Sequence, residues 1–242
     1  MRNAHHSIEN TMKDNDIRRI RFDDELENYQ GFFDHQWAKD FYEVIQGSKL
    51  DGMIFDLSLE WKAISCVRRW PWLMIHGVKN AIEGALNTKS PAKIQMNLQT
   101  IWEQYQQERE FNMALWMSEI TAYCAVYFAY EVFLINSMKV ATGRSSLRTK
   151  QLTIEIERLL GSAIVSQCWN DKPIELARLI RHAAVHNGRK LTNDLSKYKN
   201  ILMLENNEIV IMAHHTTELF NQLKQRAMGF ATTAVKNKSF HN

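Results

Sequence analysis

The most informative segment of the sequence is PIELARLIRHAAVHNG, residues 173–188. Its apolar residues recur at helical spacing and predict a stripe that faces a core: Ile174, Ala177, Ile180, Ala183 and Ala184. Pro173 suits a first helical turn, where its missing N–H has no intrahelical partner, and Asp171 is the expected N-cap. Gly188 stands where a left-handed residue commonly ends a helix. The sequence therefore predicts one helix over 173–187.

Cationic and imidazole side chains occupy the rest of this predicted helix. Arg178, His182 and His186 follow one another at i, i+4 spacing and share a face. Arg181 lies five positions before His186, which is about 140° round the helix axis. A guanidinium can hold a phosphate through two parallel hydrogen bonds, and an imidazole can transfer protons near neutral pH. The combination indicates chemistry on a phosphodiester.

The segment Arg181-His182-Ala183-Ala184-Val185-His186 resembles the R-x(4–6)-H motif of HEPN domains (higher eukaryotes and prokaryotes nucleotide-binding). Asn187-Gly188 completes a common ending of that motif, and His182 stands where the family most often has Asn. The resemblance covers roughly residues 92–242 and includes an apolar helix with Tyr127, Tyr130, Glu131 and Phe133. It implies an all-α fold, a helical bundle of HEPN type that forms a homodimer with its two motif helices facing each other.

Active HEPN domains are metal-independent endoribonucleases, so the resemblance implies RNA as the substrate and no cofactor. Carried over residue by residue, Arg181 and His186 would be catalytic, with His182 and Asn187 supporting them. RNA supplies its own 2′-OH nucleophile, so cleavage to a 2′,3′-cyclic phosphate needs an acid, a base and charge stabilisation rather than a metal. Stand-alone members often act as toxins or phage-defence effectors, which makes an antitoxin or other regulatory partner an expected partner class.

Three other interpretations remain open. The chain could be a non-catalytic RNA- or nucleotide-binding dimer, or the regulatory half of a toxin–antitoxin-like pair. The helix could also be an ordinary well-capped surface helix with Arg181 in an ion pair. His182 and His186 have the spacing of a helical metal pair, but no third ligand is evident in the sequence, so no metal site is predicted.

Charge is distributed unevenly along the chain. Residues 1–138 carry 14 Lys and Arg against 19 Asp and Glu, whereas residues 139–242 carry 16 against 8. A basic half that contains the motif fits a polyanionic partner, although solvated surface cations would give the same count. The candidate RNA-binding cations are Arg178, Arg189, Lys190, Arg144, Arg148 and Lys150.

Helical periodicity dominates the whole chain, and prolines occur only at positions 71, 91 and 173. Helices are predicted near 17–47, 54–69, 72–87, 94–140, 148–166, 173–187 and 216–236. Apolar runs at 201–204 and 208–212 flank Asn206-Asn207 and predict a small β-hairpin after the motif helix. A linker near 87–91 separates an N-terminal helical accessory region, 1–90, from the HEPN-like domain, 91–242.

Bulk properties predict a cytoplasmic protein. The first 27 residues are polar and charged, unlike a signal peptide, and the three cysteines form no C-x-x-C pair. The most apolar stretch, 114–135, contains Glu119 and Glu131 and leaves too short an uncharged run to cross a bilayer. We therefore expect a core helix there and no membrane association.

Overall fold

The structure is a computed structural model that describes residues 33–88 and 95–241. Over these residues the protein is mainly helical, which confirms the predicted all-α class. In chain order the helices are α1 Gln36–Asp40, α2 Tyr42–Ile45, α3 Asp51–Arg68, α4 Trp70–Asn87, α5 Leu98–Gln106, α6 Arg109–Thr142, α7 Thr149–Leu160, α8 Ser162–Cys168, α9 Lys172–His186, α10 Asn193–Ser196 and α11 Ala213–Ala234. A 3₁₀ turn, Lys238–Phe240, follows α11, and two short strands lie between α10 and α11, β1 Leu204–Glu205 and β2 Glu208–Ile209.

Helix α6 is the centre of the fold, and α3, α9 and α11 all pack on it. Its side chains Val126, Tyr127, Tyr130 and Leu134 are fully buried. By length and composition alone, α6 is also long and apolar enough to cross a membrane. Of its most apolar 18-residue stretch, 61% is buried inside the protein. The same residues thus supply the packing surface for three other helices.

Helix α3 belongs to the core built around α6. Trp61 is fully buried, donates its indole N–H to the carbonyl of Val126 at 3.0 Å, and packs edge-on against Phe220 at 5.3 Å. Residues on both sides of the predicted boundary at 90 therefore share one apolar cluster. The boundary itself stays a prediction, because positions 89–94 lie outside the described residues.

A smaller apolar cluster joins α4, α5 and the start of α6. Trp102 is almost completely buried there, and the ring of Phe111 meets it edge-on at 5.6 Å. Ile75 of α4 and Ala213 of α11 complete the cluster. The tryptophan-rich segment around position 70 therefore has a packing role at one end of the bundle.

Three of the predicted helices are interrupted. The helix predicted over 94–140 breaks at Gln107 and Glu108, between α5 and α6. The helix predicted over 148–166 breaks at Gly161, whose φ of 92° lies outside the helical region that L-residues adopt. Of the helix predicted over 17–47, residues 33–47 are described and form α1 and α2, which Gly47 ends at a φ of 73°.

The predicted hairpin after the motif helix is confirmed. Strands β1 and β2 are antiparallel, with Leu204 opposite Ile209 and Glu205 opposite Glu208. Asn206 and Asn207 form the two-residue turn with φ values of 48° and 64°. Positive φ at both central residues is the requirement of a type I′ turn, and asparagine tolerates it better than most residues.

Candidate active site at the end of helix α9

Helix α9 begins and ends close to the predicted residues. Asp171 is the N-cap residue, as predicted, but its side chain makes no capping hydrogen bond. The carboxylate of Asp171 instead accepts from Nε of Arg226 at 2.9 Å. Asp171 thus holds the predicted N-cap position, and its side chain forms an ion pair with a neighbouring helix in place of a capping hydrogen bond.

The C-terminal end of α9 is closed by its own backbone and by the hairpin. The N–H groups of Asn187 and Arg189 both donate to the carbonyl of Ala183, at 3.0 and 2.9 Å. Gly188 has the predicted left-handed conformation, with φ 57°. Backbone bonds continue into β2, because Ile209 donates its N–H to the carbonyl of Arg189 at 2.9 Å. The residues after His186 are thus anchored.

The two motif histidines lie side by side on the surface. His182 and His186 are both exposed, and their ring centroids are 4.9 Å apart at an interplanar angle of 45°. Asn187, the C-cap residue, is exposed beside them. Spacing of one helical turn brings both imidazoles within reach of a single ligand.

Arg181 lies against α6 rather than beside the histidines. Its Nη1 is 3.6 Å from Oε2 of Glu131, and its guanidinium carbon lies 5.4 Å from the centroid of the Phe128 ring. The Arg181 side chain is 35% exposed, whereas that of Glu131 is only 8% exposed. The arginine is thus half-buried, with a buried carboxylate as its partner and one side open to solvent.

Two of the polar groups beside Arg181, Cys124 and Tyr127, are uncharged near neutral pH. Burial raises the pKa of the Cys124 thiol to about 11, against the opposing effect of Arg181. Burial also raises the pKa of Tyr127 well above its ordinary value, with Glu131 adding to the shift and Arg178 and Arg181 opposing it. Glu131 is therefore the negative group against which Arg181 is balanced.

The start of α7 adjoins the motif through Glu131. The hydroxyl of Thr149 donates to Oε1 of Glu131 at 3.4 Å, while Arg181 approaches the other carboxylate oxygen. Arg148 and Lys150, the neighbours of Thr149 in the chain, are exposed. Two of the candidate RNA-binding cations therefore flank, in the chain, a residue that contacts the carboxylate partner of Arg181.

Three of the four remaining candidate cations have local partners. Arg144 pairs with Glu155 at 2.7 Å, and Arg189 pairs with Glu208 at 3.0 Å. The guanidinium of Arg178 lies 5.2 Å from the Trp169 ring, and Lys190 is exposed. Three of the six candidate cations are therefore engaged by an acid or an aromatic ring, and their role in RNA binding stays a prediction.

Two residues with a direct part in this geometry had no role assigned from the sequence, Glu131 and Phe128. A signal for Glu131 does exist, because it is the single acid between Glu119 and Glu155. Its pairing with Arg181 joins residues 50 positions apart in the chain. Periodicity and spacing carry no information about such a contact.

An apolar strip runs along α6 beside the motif. Met113, Met117 and Phe128 of α6 are about half exposed, and Val185 of α9 is 61% exposed. Arg189, which follows α9 in the chain, contacts α6, with its Nη1 3.8 Å from the sulfur of Met117. We call these four apolar residues the α6–α9 face.

Within residues 33–88 and 95–241, no three His, Cys, Asp or Glu side chains lie close enough together to hold a metal ion. Comparisons with protein-family models, with characterised proteins and with solved structures give no match to this chain.

Proposed function

We propose that the protein is a metal-independent endoribonuclease of HEPN type that acts as a homodimer. The observation that supports this most is the exposed pair of imidazoles, 4.9 Å apart at the end of α9. A helix that served only for packing has no use for two solvated histidines in addition to a half-exposed arginine. The basic character of residues 139–242 favours a polyanionic substrate.

In the proposed reaction the 2′-oxygen of RNA attacks the adjacent phosphorus and the 5′-oxygen leaves. One imidazole, His186, takes the 2′-OH proton, and a second imidazole protonates the leaving 5′-oxygen. The products are a 2′,3′-cyclic phosphate and a 5′-hydroxyl. General acid–base catalysis contributes about 10²- to 10⁴-fold, and Arg181 stabilises the charge that develops on the phosphate by about 10²-fold.

A second copy of the chain completes this proposed site. In one protomer Arg181 lies against α6 while the histidines face solvent, so acid, base and cation do not converge on one phosphate. A two-fold axis across the α6–α9 face brings a second Arg181 and a second His186 into the same cleft. The exposed apolar side chains of that face supply the packing surface.

The test of catalysis is cleavage of a fluorescent RNA in the presence of EDTA. We expect His186→Ala and Arg181→Ala each to lower the rate by about 10²-fold or more. Two matched variants, His241→Ala and Arg158→Ala, remove an exposed histidine and an exposed arginine outside the site and should retain full activity. Loss of activity in chelator, equal cleavage of DNA, or unimpaired motif variants would contradict the mechanism.

The test of the dimer is light scattering over a dilution series. Met117→Glu puts a charge in the α6–α9 face and should shift the protein to a monomer with little activity. The control is Leu73→Glu, which changes an equally exposed apolar residue on α4. An active monomer would exclude the composite site.

The second candidate is a non-catalytic RNA- or nucleotide-binding dimer, or a regulatory partner in a toxin–antitoxin-like pair. The Arg181–Glu131 ion pair favours it, because that pair occupies the guanidinium that catalysis requires. RNA binding without cleavage identifies this candidate. If the nuclease is a cytoplasmic toxin or defence effector, its expression in bacteria should slow growth, and His186→Ala should relieve the effect.

A further inference from the structure

A cavity of about 740 Å³ lies on the opposite side of α9 from Val185. Leu176 and Ile180 of α9 form one wall, and Leu176 is about 180° round the helix from Val185. The other walls come from α6, from the segment 197–203 that follows α10, from Val210 and Ile211, and from the first turns of α11. Pockets for drug-sized molecules range from about 300 to 1,000 Å³. The volume therefore fits a small molecule.

The wall of the cavity is mainly aliphatic. It also contains the imidazole of His215, whose hydrogen bonding is fixed by the backbone. Nδ1 of His215 accepts a hydrogen bond from the backbone N–H of Met212 at 3.0 Å. Burial, together with the neighbouring His214, lowers the pKa of His215 to about 4. The imidazole is therefore neutral near pH 7, and because Nδ1 accepts, Nε2 carries the proton and can donate.

Charged residues at the cavity cancel one another. Lys172 and Lys197 are balanced by Glu175 and Glu218. Glu175 is already engaged, since it accepts from Nζ of Lys197 at 2.5 Å and from the Tyr198 hydroxyl at 2.7 Å. A lining without net charge offers no attraction to a polyphosphate or to RNA, which separates this cavity from the basic surface near Arg181.

We propose that this cavity binds an uncharged, mainly apolar small molecule that presents a hydrogen-bond acceptor to His215. Ile180 contacts the ligand and Arg181 is the next residue, so an occupied cavity packs against the helix that carries the motif. Ligand binding then makes local unfolding of α9 less frequent, so the backbone hydrogen bonds of residues 176–187 open more rarely. The site does not depend on the proposed nuclease activity.

The probe for this site is Prodan, an uncharged naphthalene with a ketone acceptor and an emission that shifts to shorter wavelength in apolar surroundings. We expect saturable binding of one Prodan per full-length chain. The anionic analogue 1-anilinonaphthalene-8-sulfonate should bind at least about tenfold more weakly, because a lining without net charge does not repay the desolvation of a sulfonate. Tighter binding of the sulfonate would overturn the assigned ligand class.

Variants locate the probe. Met203→Trp fills the cavity and Ile201→Trp narrows its more exposed part, and each should weaken Prodan binding about tenfold or more. Ile154→Trp adds the same ring on the exposed surface of α7 and should leave binding unchanged. His215→Phe keeps the aromatic volume and removes the donor, so it should weaken binding about fivefold, the effect of one hydrogen bond. Unchanged Prodan affinity in both Met203→Trp and Ile201→Trp would overturn the assigned location of the site.

Hydrogen exchange tests the effect on α9. Saturating Prodan should slow amide exchange in 176–187 in the wild-type chain and have no such effect in Met203→Trp. Unchanged exchange in this segment of the wild-type chain would overturn the coupling to the motif helix. Both measurements are made without RNA, so they remain decisive if the protein fails to cleave any substrate.

Discussion

Removing Arg68 should destabilise the whole molecule. Its side chain is 2% exposed, and that of its partner Glu119 is 1% exposed. Arg68 donates from Nε to Glu119 at 3.2 Å and from Nη2 to the carbonyl of Ala213 at 2.6 Å, so it joins α3 to α6 and α11. Arg68→Met leaves a buried carboxylate without its cation, which costs about 3–5 kcal/mol of unfolding free energy. For a domain of this size the melting temperature should fall by roughly 10 °C.

Urea denaturation followed by circular dichroism measures this loss. The double variant Arg68→Met/Glu119→Leu replaces both charges by apolar groups and should recover most of the stability, because no buried charge is left unpaired. The matched control is Lys79→Met, which removes one partner of the more exposed Lys79–Glu83 pair and should cost less than about 1 kcal/mol. A loss below about 1 kcal/mol for Arg68→Met, or separate unfolding of α3, would refute the reasoning and favour an independent N-terminal region.

Three further predictions concern single groups. Tyr127→Phe should be neutral or slightly stabilising in thermal melts, because the buried Tyr127 hydroxyl has no hydrogen-bond partner among the described residues. Tyr130→Phe should instead cost about 1 kcal/mol, because it removes a 2.6 Å hydrogen bond to the carbonyl of Cys168. The unfolding free energy should decrease between about pH 6.5 and pH 4, because the pKa of His215 is lowered to about 4 and the unfolded chain takes up the proton first. Solvent screening limits this loss to about 1–2 kcal/mol, and it should be absent in His215→Phe; an equal pH slope in both proteins counts against it. Asn207→Gly should stabilise the hairpin by about 0.5–1 kcal/mol in the same denaturation assay, because the strain of a φ of 64° in an L-residue exceeds the extra entropy that glycine gives the unfolded chain. A loss of stability would show that the asparagine side chain is needed.

The sequence predicts local structure where one residue type determines the backbone. Gly188 marked the end of α9 and Asn206-Asn207 marked the hairpin turn, and both predictions are confirmed. Gly161 carried a similar signal, but the apolar pattern continues on both sides of it, so the break between α7 and α8 was not predicted. Periodicity identifies which face of a helix is buried and does not register a single residue in another conformation.

The candidate site was predictable only within α9. Helical spacing placed His182 beside His186, and the 4.9 Å between their rings agrees with it. The orientation of Arg181 depends on Glu131 of another helix. The Asp171 carboxylate likewise accepts from Arg226 of another helix instead of capping its own. Whether a side chain pairs with a local or a distant partner depends on how the helices pack, and periodicity and spacing do not predict that packing. The catalytic role of the motif stays a prediction.

The hairpin next to the motif has a consequence for which mutations the chain can accept. Apart from the Arg189–Glu208 ion pair, the bonds between the hairpin and the residues after α9 are made by main-chain atoms, as between Ile209 and Arg189 and between Leu191 and Asn207. Substitutions in β1 and β2 that keep the strands extended therefore leave His186 in place, even when the new side chains are unrelated to the old. An inserted residue shifts the strand pairing and moves the end of the motif helix with it. This segment should tolerate wide variation in sequence and almost none in length.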